Sequence, residues 1–251
     1  MIDCVVLAGS PNNGSLREVS NEVHEALIRI GDRPMIDYVL RALLACREIG
    51  RVVVVGPDDL REVLPGARAE LLPPAGSLMA NLERGLQALG DRQHVLVSTS
   101  DIPLLSGPVV ERFLAQCGDR SAQLYYPVVS ETTMAARYAG AKRTYVRLRE
   151  GRFTGGNMVL LHPSAYGRCR RLAAKFAANR KNPVKLAGIV GVGLLIRFIT
   201  GTLTLRAAED KVTALAGITG KVVVAQDPEI ALDVDKAEDY ELVLRALAQR
   251  S

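Results

Sequence analysis

Cys4-Val5-Val6-Leu7-Ala8-Gly9-Ser10 sets the reading of this chain: an aliphatic run passes straight into a loop rich in Gly, Asn and Ser. An unbroken aliphatic run suits a strand buried on both faces. Comparable strand-like runs recur, so that the series is 3–8, 51–55, 68–72, 94–98, 122–129, 157–161 and 221–225. Helical spacing fills most of the gaps. Met35, Ile36, Val39, Leu40, Leu43 and Leu44 share a face over 34–48; Leu78, Leu82, Leu86 and Leu89 do so over 77–89, with Ser77 placed to cap. Val109, Val110, Phe113 and Leu114 repeat the pattern over 106–117. This alternation predicts an α/β fold, a mixed and mostly parallel sheet with helices on both faces. No linker divides the 251 residues, so a single domain is expected over 1–251.

Composition narrows the function classes. The hydrophobic fraction of 48% supplies a sizeable core, but with no Trp and 4% aromatics that core is aliphatic. Base stacking, on which single-strand nucleic-acid binders rely, has little material here, and no nucleic-acid partner is expected. The net charge of +5 fits either ordinary surface charge or a basic rim for phosphorylated ligands. Cys4, Cys46, Cys117 and Cys169 stand singly, without a CxxC pair, which argues against a zinc site or disulfide framework and fits a reduced, cytoplasmic setting. Asp3 and the lack of a basic leading segment make the N-terminus a first core strand rather than a signal peptide.

An insertion around 165–215 breaks the alternation. Residues 184–205 include the apolar run Leu186 to Ile196, which contains three glycines and is followed by Arg197. It is shorter than the roughly 20 residues a membrane span needs. It reads as a buried or interface helix; a homodimer contact or a membrane-surface contact are the other readings. Arg168, Arg170, Arg171, Lys175, Arg180, Lys181 and Lys185 precede or enter it and are what the membrane-surface reading rests on.

Three places could carry chemistry. Gly9 and Gly14 allow a loop to wrap phosphates with backbone N–H groups, and Asn12, Asn13 and Ser15 add turn-forming polarity, although such a loop can be a plain turn. Asp101 ends the run Val95-Leu96-Val97-Ser98-Thr99-Ser100, where open α/β sheets form their ligand crevice, or it caps a turn. In Ala231-Leu232-Asp233-Val234-Asp235, read as a further strand, the two carboxylates share a face; Asp235 could instead cap the helix beginning at Lys236. A phosphate-cradling loop with two carboxylates at strand ends suits a nucleoside triphosphate and its Mg²⁺. Lys142, Arg143 and Arg147 form a basic cluster that reads as a solvated face or as a contact for an acidic acceptor.

These residues resemble a known family. Leu7-Ala8-Gly9-Ser10 is similar to the Leu-Ala-Gly-Gly opening of the sugar-nucleotide and molybdenum-cofactor nucleotidyltransferases. Gly31-Asp32-Arg33-Pro34-Met35 resembles the turn leading into their first long helix, and Asp101-Ile102-Pro103 their metal-binding Asp-x-Pro. Gly155-Gly156-Asn157 resembles their acceptor turn, and Asp233-Val234-Asp235-Lys236-Ala237-Glu238-Asp239 their closing motif. The resemblance is to MobA-like NTP transferases and implies a GT-A-type, Rossmann-related fold. It further implies that Leu7, Ala8, Gly9, Ser10 and Asn81 contact the nucleotide. Asp101 and Asp235 would share Mg²⁺, and Gly156 and Asn157 would meet a small anionic acceptor, for which Arg143 of the basic cluster is a further candidate contact. The reaction implied is NMP transfer from an NTP with release of pyrophosphate. Two places depart: Ser10-Pro11 replaces the second glycine of the opening, and Glu25 stands where the family carries a phosphate-reaching lysine, for which Arg17 or Arg29 could substitute, Arg17 being the catalytic candidate because it lies on the same loop. A nucleotide-binding protein without catalysis is therefore the alternative.

Overall fold

The computed structural model describes residues 1–64, 66–90, 93–179 and 183–250. The chain opens with β1 (Ile2–Leu7), the short strands β2 (Arg29–Ile30) and β3 (Arg33–Pro34), and α1 (Met35–Ala45). Next come β4 (Ile49–Val55), β5 (Ala69–Leu72), α2 (Leu78–Leu89), β6 (Val95–Thr99), α3 (Gly107–Gln116), β7 (Leu124–Ser130) and α4 (Glu131–Arg137). Strands β8 (Val146–Leu148), β9 (Gly151–Gly155) and β10 (Met158–Leu161) precede four helices, α5 (Tyr166–Asn179), α6 (Pro183–Val190), α7 (Val192–Ile199) and α8 (Leu205–Ala216). The chain closes with β11 (Gly220–Ala225) and α9 (Ala237–Ala248).

One nine-stranded sheet runs β5-β4-β1-β6-β10-β7-β9-β8, with β11 pairing β7. Strands β5, β4, β1 and β6 are mutually parallel, as are β7 and β11, while β10 lies antiparallel between β6 and β7. The sheet is thus mixed and mostly parallel, and each run of the series from 3–8 to 221–225 forms one of its strands. The central strands are apolar throughout because both faces are covered. Cys4 and Val6 of β1 enter one core with α1 and α3, whereas Val5 faces a second core with α2 and α5. Ser77 caps α2 as its position suggests, accepting a hydrogen bond from the Ala80 N–H.

Three local readings change. The stretch Ala231–Asp235 is not a strand: after a tight turn at Pro228–Ala231 it runs extended without a sheet partner. Its alternation is real, since Leu232 and Val234 are buried, but the Val234 N–H bonds the Asp101 carbonyl at 2.9 Å rather than a neighbouring strand. The apolar segment 184–205 is not one buried helix. It divides into α6 and α7 at Gly191, which has a positive φ of 88°, and none of the α7 side chains is buried. Two hairpins, β2–β3 and β8–β9, appear where the sequence offers only two or three residues per strand. Arg180 and Lys181, part of the basic run before α6, lie outside the described residues.

Candidate functional site

Because β1, β4, β5 and β6 run in parallel, the loops that follow them gather at one edge of the sheet. The loop after β1 and the loop before α2 enclose a cavity of about 480 Å³, lined by Leu7, Gly9, Ser10, Pro11, Pro74, Gly76, Ser77, Leu78 and Asn81. Asn81 is buried, and its Oδ1 accepts a hydrogen bond from the Ala75 N–H at 2.6 Å, so it fixes the loop before α2 against the helix. A Cβ on Gly9 would stand 2.7 Å from Asn81 Nδ2, so only glycine lets the walls approach this closely. Ala8 is fully buried behind the cavity and anchors the loop through its N–H to the Val55 carbonyl at 2.9 Å. Leu7, Gly9, Ser10 and Asn81 therefore line one space, while Ala8 supports it from behind.

The loop continues in an ordered path. Asn12 is buried and donates through Nδ2 to the carbonyls of Ser20 and Glu22, both at 3.0 Å. Arg17 lies on the exposed turn between and donates to the Asn21 carbonyl at 3.3 Å. Glu25 closes the loop, its N–H bonded to the Ser10 carbonyl at 3.1 Å. Its carboxylate is half-buried and has no partner among the described residues, and desolvation raises its pKa.

Asp101 sits two residues past β6, fixed by buried Ile102, Leu104 and Leu105. A ring of backbone hydrogen bonds brings the distant carboxylates to it. The Thr99 N–H bonds the Asn157 carbonyl, the Asn157 N–H bonds the Ile230 carbonyl, and the Val234 N–H bonds the Asp101 carbonyl, at 3.0, 2.8 and 2.9 Å. Gly156 makes this ring close: a Cβ there would meet Ile230 Cγ2 at 2.6 Å and Pro127 Cγ at 2.9 Å. Asn157 thus holds the floor of the crevice through its backbone.

As a result Asp101, Asp233 and Asp235 each offer a carboxylate oxygen, all within 4.8 Å of one another. Burial first, then the charges of Asp233 and Asp235, push the Asp101 pKa up to about 7, opposed by a hydrogen bond from the Thr99 hydroxyl. Burial and Asp233 push Asp235 up to about 6. Three crowded hard oxygen donors suit a divalent cation such as Mg²⁺, which would relieve their repulsion.

Two alternatives left open by the sequence are resolved here. Asp235 does not cap α9: Lys236 occupies the cap position without a side-chain bond, and Asp239 reaches back to accept from the Asp235 N–H at 3.3 Å. The cluster Lys142, Arg143 and Arg147 does not share a face. Lys142 pairs with Glu238, and Arg147 packs against Gly201. Arg143 is buried, and its guanidinium reaches Asp233 at 2.8 Å and Asp239 at 3.2 Å. Its two terminal nitrogens are thus turned to the carboxylates, not to an open acceptor pocket. Asp233 is the part of the carboxylate cluster to which the sequence gives no role, its two-residue spacing from Asp235 being the available signal, and Arg143, read there as an acceptor contact, joins the cluster instead.

The comparisons with known proteins fall on the same chain length and fold. The family model of the MobA-like NTP transferase domain matches residues 4–184. A hypothetical transferase from Thermus thermophilus is 37% identical, with TM-score 0.81, over 95% of this chain and 99% of that one. CMP:2-keto-3-deoxy-manno-octonic acid synthetase complexed with CTP is 14% identical, with TM-score 0.63, over 100% and 99%. The 2-C-methyl-D-erythritol 4-phosphate cytidylyltransferase of Thermus thermophilus is 17% identical, with TM-score 0.55, over 99% and 100%. Curated protein sequences give no match. With the sheet order, the cavity behind Gly9 and the Asp-x-Pro carboxylate in place, the chain belongs to the MobA-like NTP transferase domain family.

Proposed function

We propose that the protein is a Mg²⁺-dependent nucleotidyltransferase that moves an NMP from an NTP to a small anionic acceptor. The observation carrying this reading is the placement of the cavity lined by Gly9, Ser10 and Asn81 and the carboxylates Asp101, Asp233 and Asp235 at one sheet edge. The nucleoside would occupy the cavity between Pro74 and Asn81, its phosphates following the loop from Gly9 toward Arg17. Asp101 and Asp235 would hold the cation, which when bound offsets triphosphate charge. An acceptor oxygen would attack the α-phosphorus as the α–β anhydride bond breaks and pyrophosphate leaves. Such a reaction depends on positioning and charge neutralisation more than on covalent help. The acceptor would enter past Gly156 and Asn157. CTP is the first nucleotide to try, because the synthetase of similar fold is described with it.

Glu25 favours a second reading, a nucleotide-binding protein without turnover, because a carboxylate with no partner among the described residues, lying beside the loop, repels phosphate. Arg17, exposed on the same loop, is the cation that would compensate. Arg17→Ala should weaken triphosphate binding about tenfold while leaving nucleoside binding unchanged. Glu25→Lys should preserve or raise pyrophosphate release. No pyrophosphate from any NTP with Mg²⁺ and a panel of phosphorylated acceptors would favour the binding-protein reading.

A further inference from the structure

The helices between β10 and β11 carry a feature the transferase reading leaves unused. Val192, Ile196 and Ile199 are 63, 55 and 73% exposed, and their spacing puts them on one stripe of α7. Leu194 lies on the opposite side and packs with Leu148, Phe153 and Leu203, which moors α7 to the β8–β9 hairpin. The stripe is therefore fixed outward by the fold.

The segment that carries this stripe is one-sided in charge. Residues 151–208 contain ten Lys or Arg and not one Asp or Glu, so the whole excess of +5 lies here and the rest of the chain is net negative; Arg152 and Arg170 pair with Glu131 and Glu83 from outside the segment. Arg171, Lys175 and Arg197 are exposed on α5 and α7. Two copies meeting through this face would bring like charge onto like charge, which opposes a symmetric dimer. An apolar stripe carried on a segment with this excess of cations instead matches an anionic bilayer, whose headgroups attract the cations while the aliphatic side chains enter the acyl boundary. No described helix is long and apolar enough to cross a membrane, so the contact is one of lying on the surface.

The position of the stripe relative to the crevice is set by strand register. Thr99 marks the catalytic edge; Val128 pairs Gly155 near that level, and Ser130 pairs Phe153 beyond it. The hairpin then continues to Leu148 and Gly151. At about 3.3 Å per residue its tip stands roughly 13 Å past Gly155 on the crevice side. The helix moored there is on the same end of the sheet as Asp101.

We propose that the outward face of α7, with the acid-free basic segment around it, docks this protein on an anionic lipid surface. The inference is independent of whether the crevice turns over a nucleotide. It is tested by sedimenting the full chain with phosphatidylcholine vesicles, with and without phosphatidylglycerol. The wild type should co-sediment with the phosphatidylglycerol vesicles, be released by added salt, and stay in solution with phosphatidylcholine alone. Ile196→Asp with Ile199→Asp should lower the bound fraction at least about tenfold without lowering the melting temperature, since both side chains are already in solvent. Absence of binding to the anionic vesicles would overturn the proposal. So would binding that the double variant leaves intact, or a dimer in solution that the double variant dissolves.

Discussion

Asp101→Asn should abolish stabilisation by Mg²⁺ and, in the absence of the cation, make the protein more stable at pH 8. The two effects have one cause. Asp101, Asp233 and Asp235 crowd their carboxylates within 4.8 Å, and burial with mutual repulsion raises the Asp101 and Asp235 pKa values to about 7 and about 6. A carboxylate with a raised folded-state pKa holds its proton in the native state after the unfolded chain has lost it. Stability therefore falls as pH rises from the ordinary carboxylate range through about 7, and the ionised cluster is a strain above that point. Removing one charge should return about 1–2 kcal/mol, after allowance for solvent reaching the site, or a few degrees of melting temperature. Binding of Mg²⁺ should strengthen over the same pH interval, because protons and cation compete for the same oxygens. Melting curves in chelator and in Mg²⁺, at pH 5.5 and pH 8, read all of this. An unchanged Mg²⁺ response in Asp101→Asn would remove Asp101 from the cation site; a loss of stability in chelator would assign it a structural role.

Glu229→Ala should be the most destabilising single change near the site. Glu229 is 1% exposed, and the turn it belongs to carries the chain into Asp233. Its Oε1 accepts from the Tyr138 hydroxyl at 2.8 Å and lies 2.8 Å from Arg250 and 3.1 Å from Arg137. Arg250 also donates to the Leu104 carbonyl at 2.8 Å, so one carboxylate joins the C-terminus, α4 and the segment after Asp101. Loss of the shared partner should cost about 3 kcal/mol rather than more, because both arginines are half-exposed and can rehydrate. That corresponds to roughly 6–12 °C in melting temperature for a chain of this size. Tyr138→Phe removes two hydrogen bonds, one given to Glu229 and one accepted from Arg250, and should cost about 1–2 kcal/mol. Thermal denaturation followed by circular dichroism decides it: a Glu229→Ala melt within a degree or two of wild type would show that the network does not hold the turn.

Much of the scaffold is legible in the sequence because burial on both faces leaves an unmistakable aliphatic mark. Val52 to Val55 and Val95 to Val97 can be assigned to strands without knowing their neighbours. Where a segment is neither long nor doubly buried the signal fails. Arg29-Ile30 and Arg33-Pro34 pair across a turn but contain too few residues for any period to show. Ala231–Asp235 has a strand's alternation because Leu232 and Val234 fill the core, yet its hydrogen bonds go to a loop carbonyl. The α6–α7 segment is apolar enough to suggest burial; only the packed position of Leu194 shows which face is covered and which is left to solvent. For the site, sequence order identifies Asp101 and the Asp233–Asp235 pair as candidates. Their meeting depends on the antiparallel insertion of β10 and on the ring through Asn157 and Ile230, which no local pattern encodes. Arg143 reads in sequence as a ligand-facing cation, but composition cannot tell a cation that meets substrate from one that balances buried carboxylates.

The most direct test of the nucleotidyltransferase account is the melting temperature of the wild-type protein with each of the four NTPs, with and without Mg²⁺. Only a ligand that binds the native state stabilises it, by an amount that grows with its concentration over its dissociation constant. The account predicts that at least one NTP raises the melting temperature by several degrees with Mg²⁺ and much less without it, and that Asp101→Asn erases the difference. If no NTP shifts the transition under either condition, the cavity behind Gly9 and the carboxylates beside it do not form a nucleotide site.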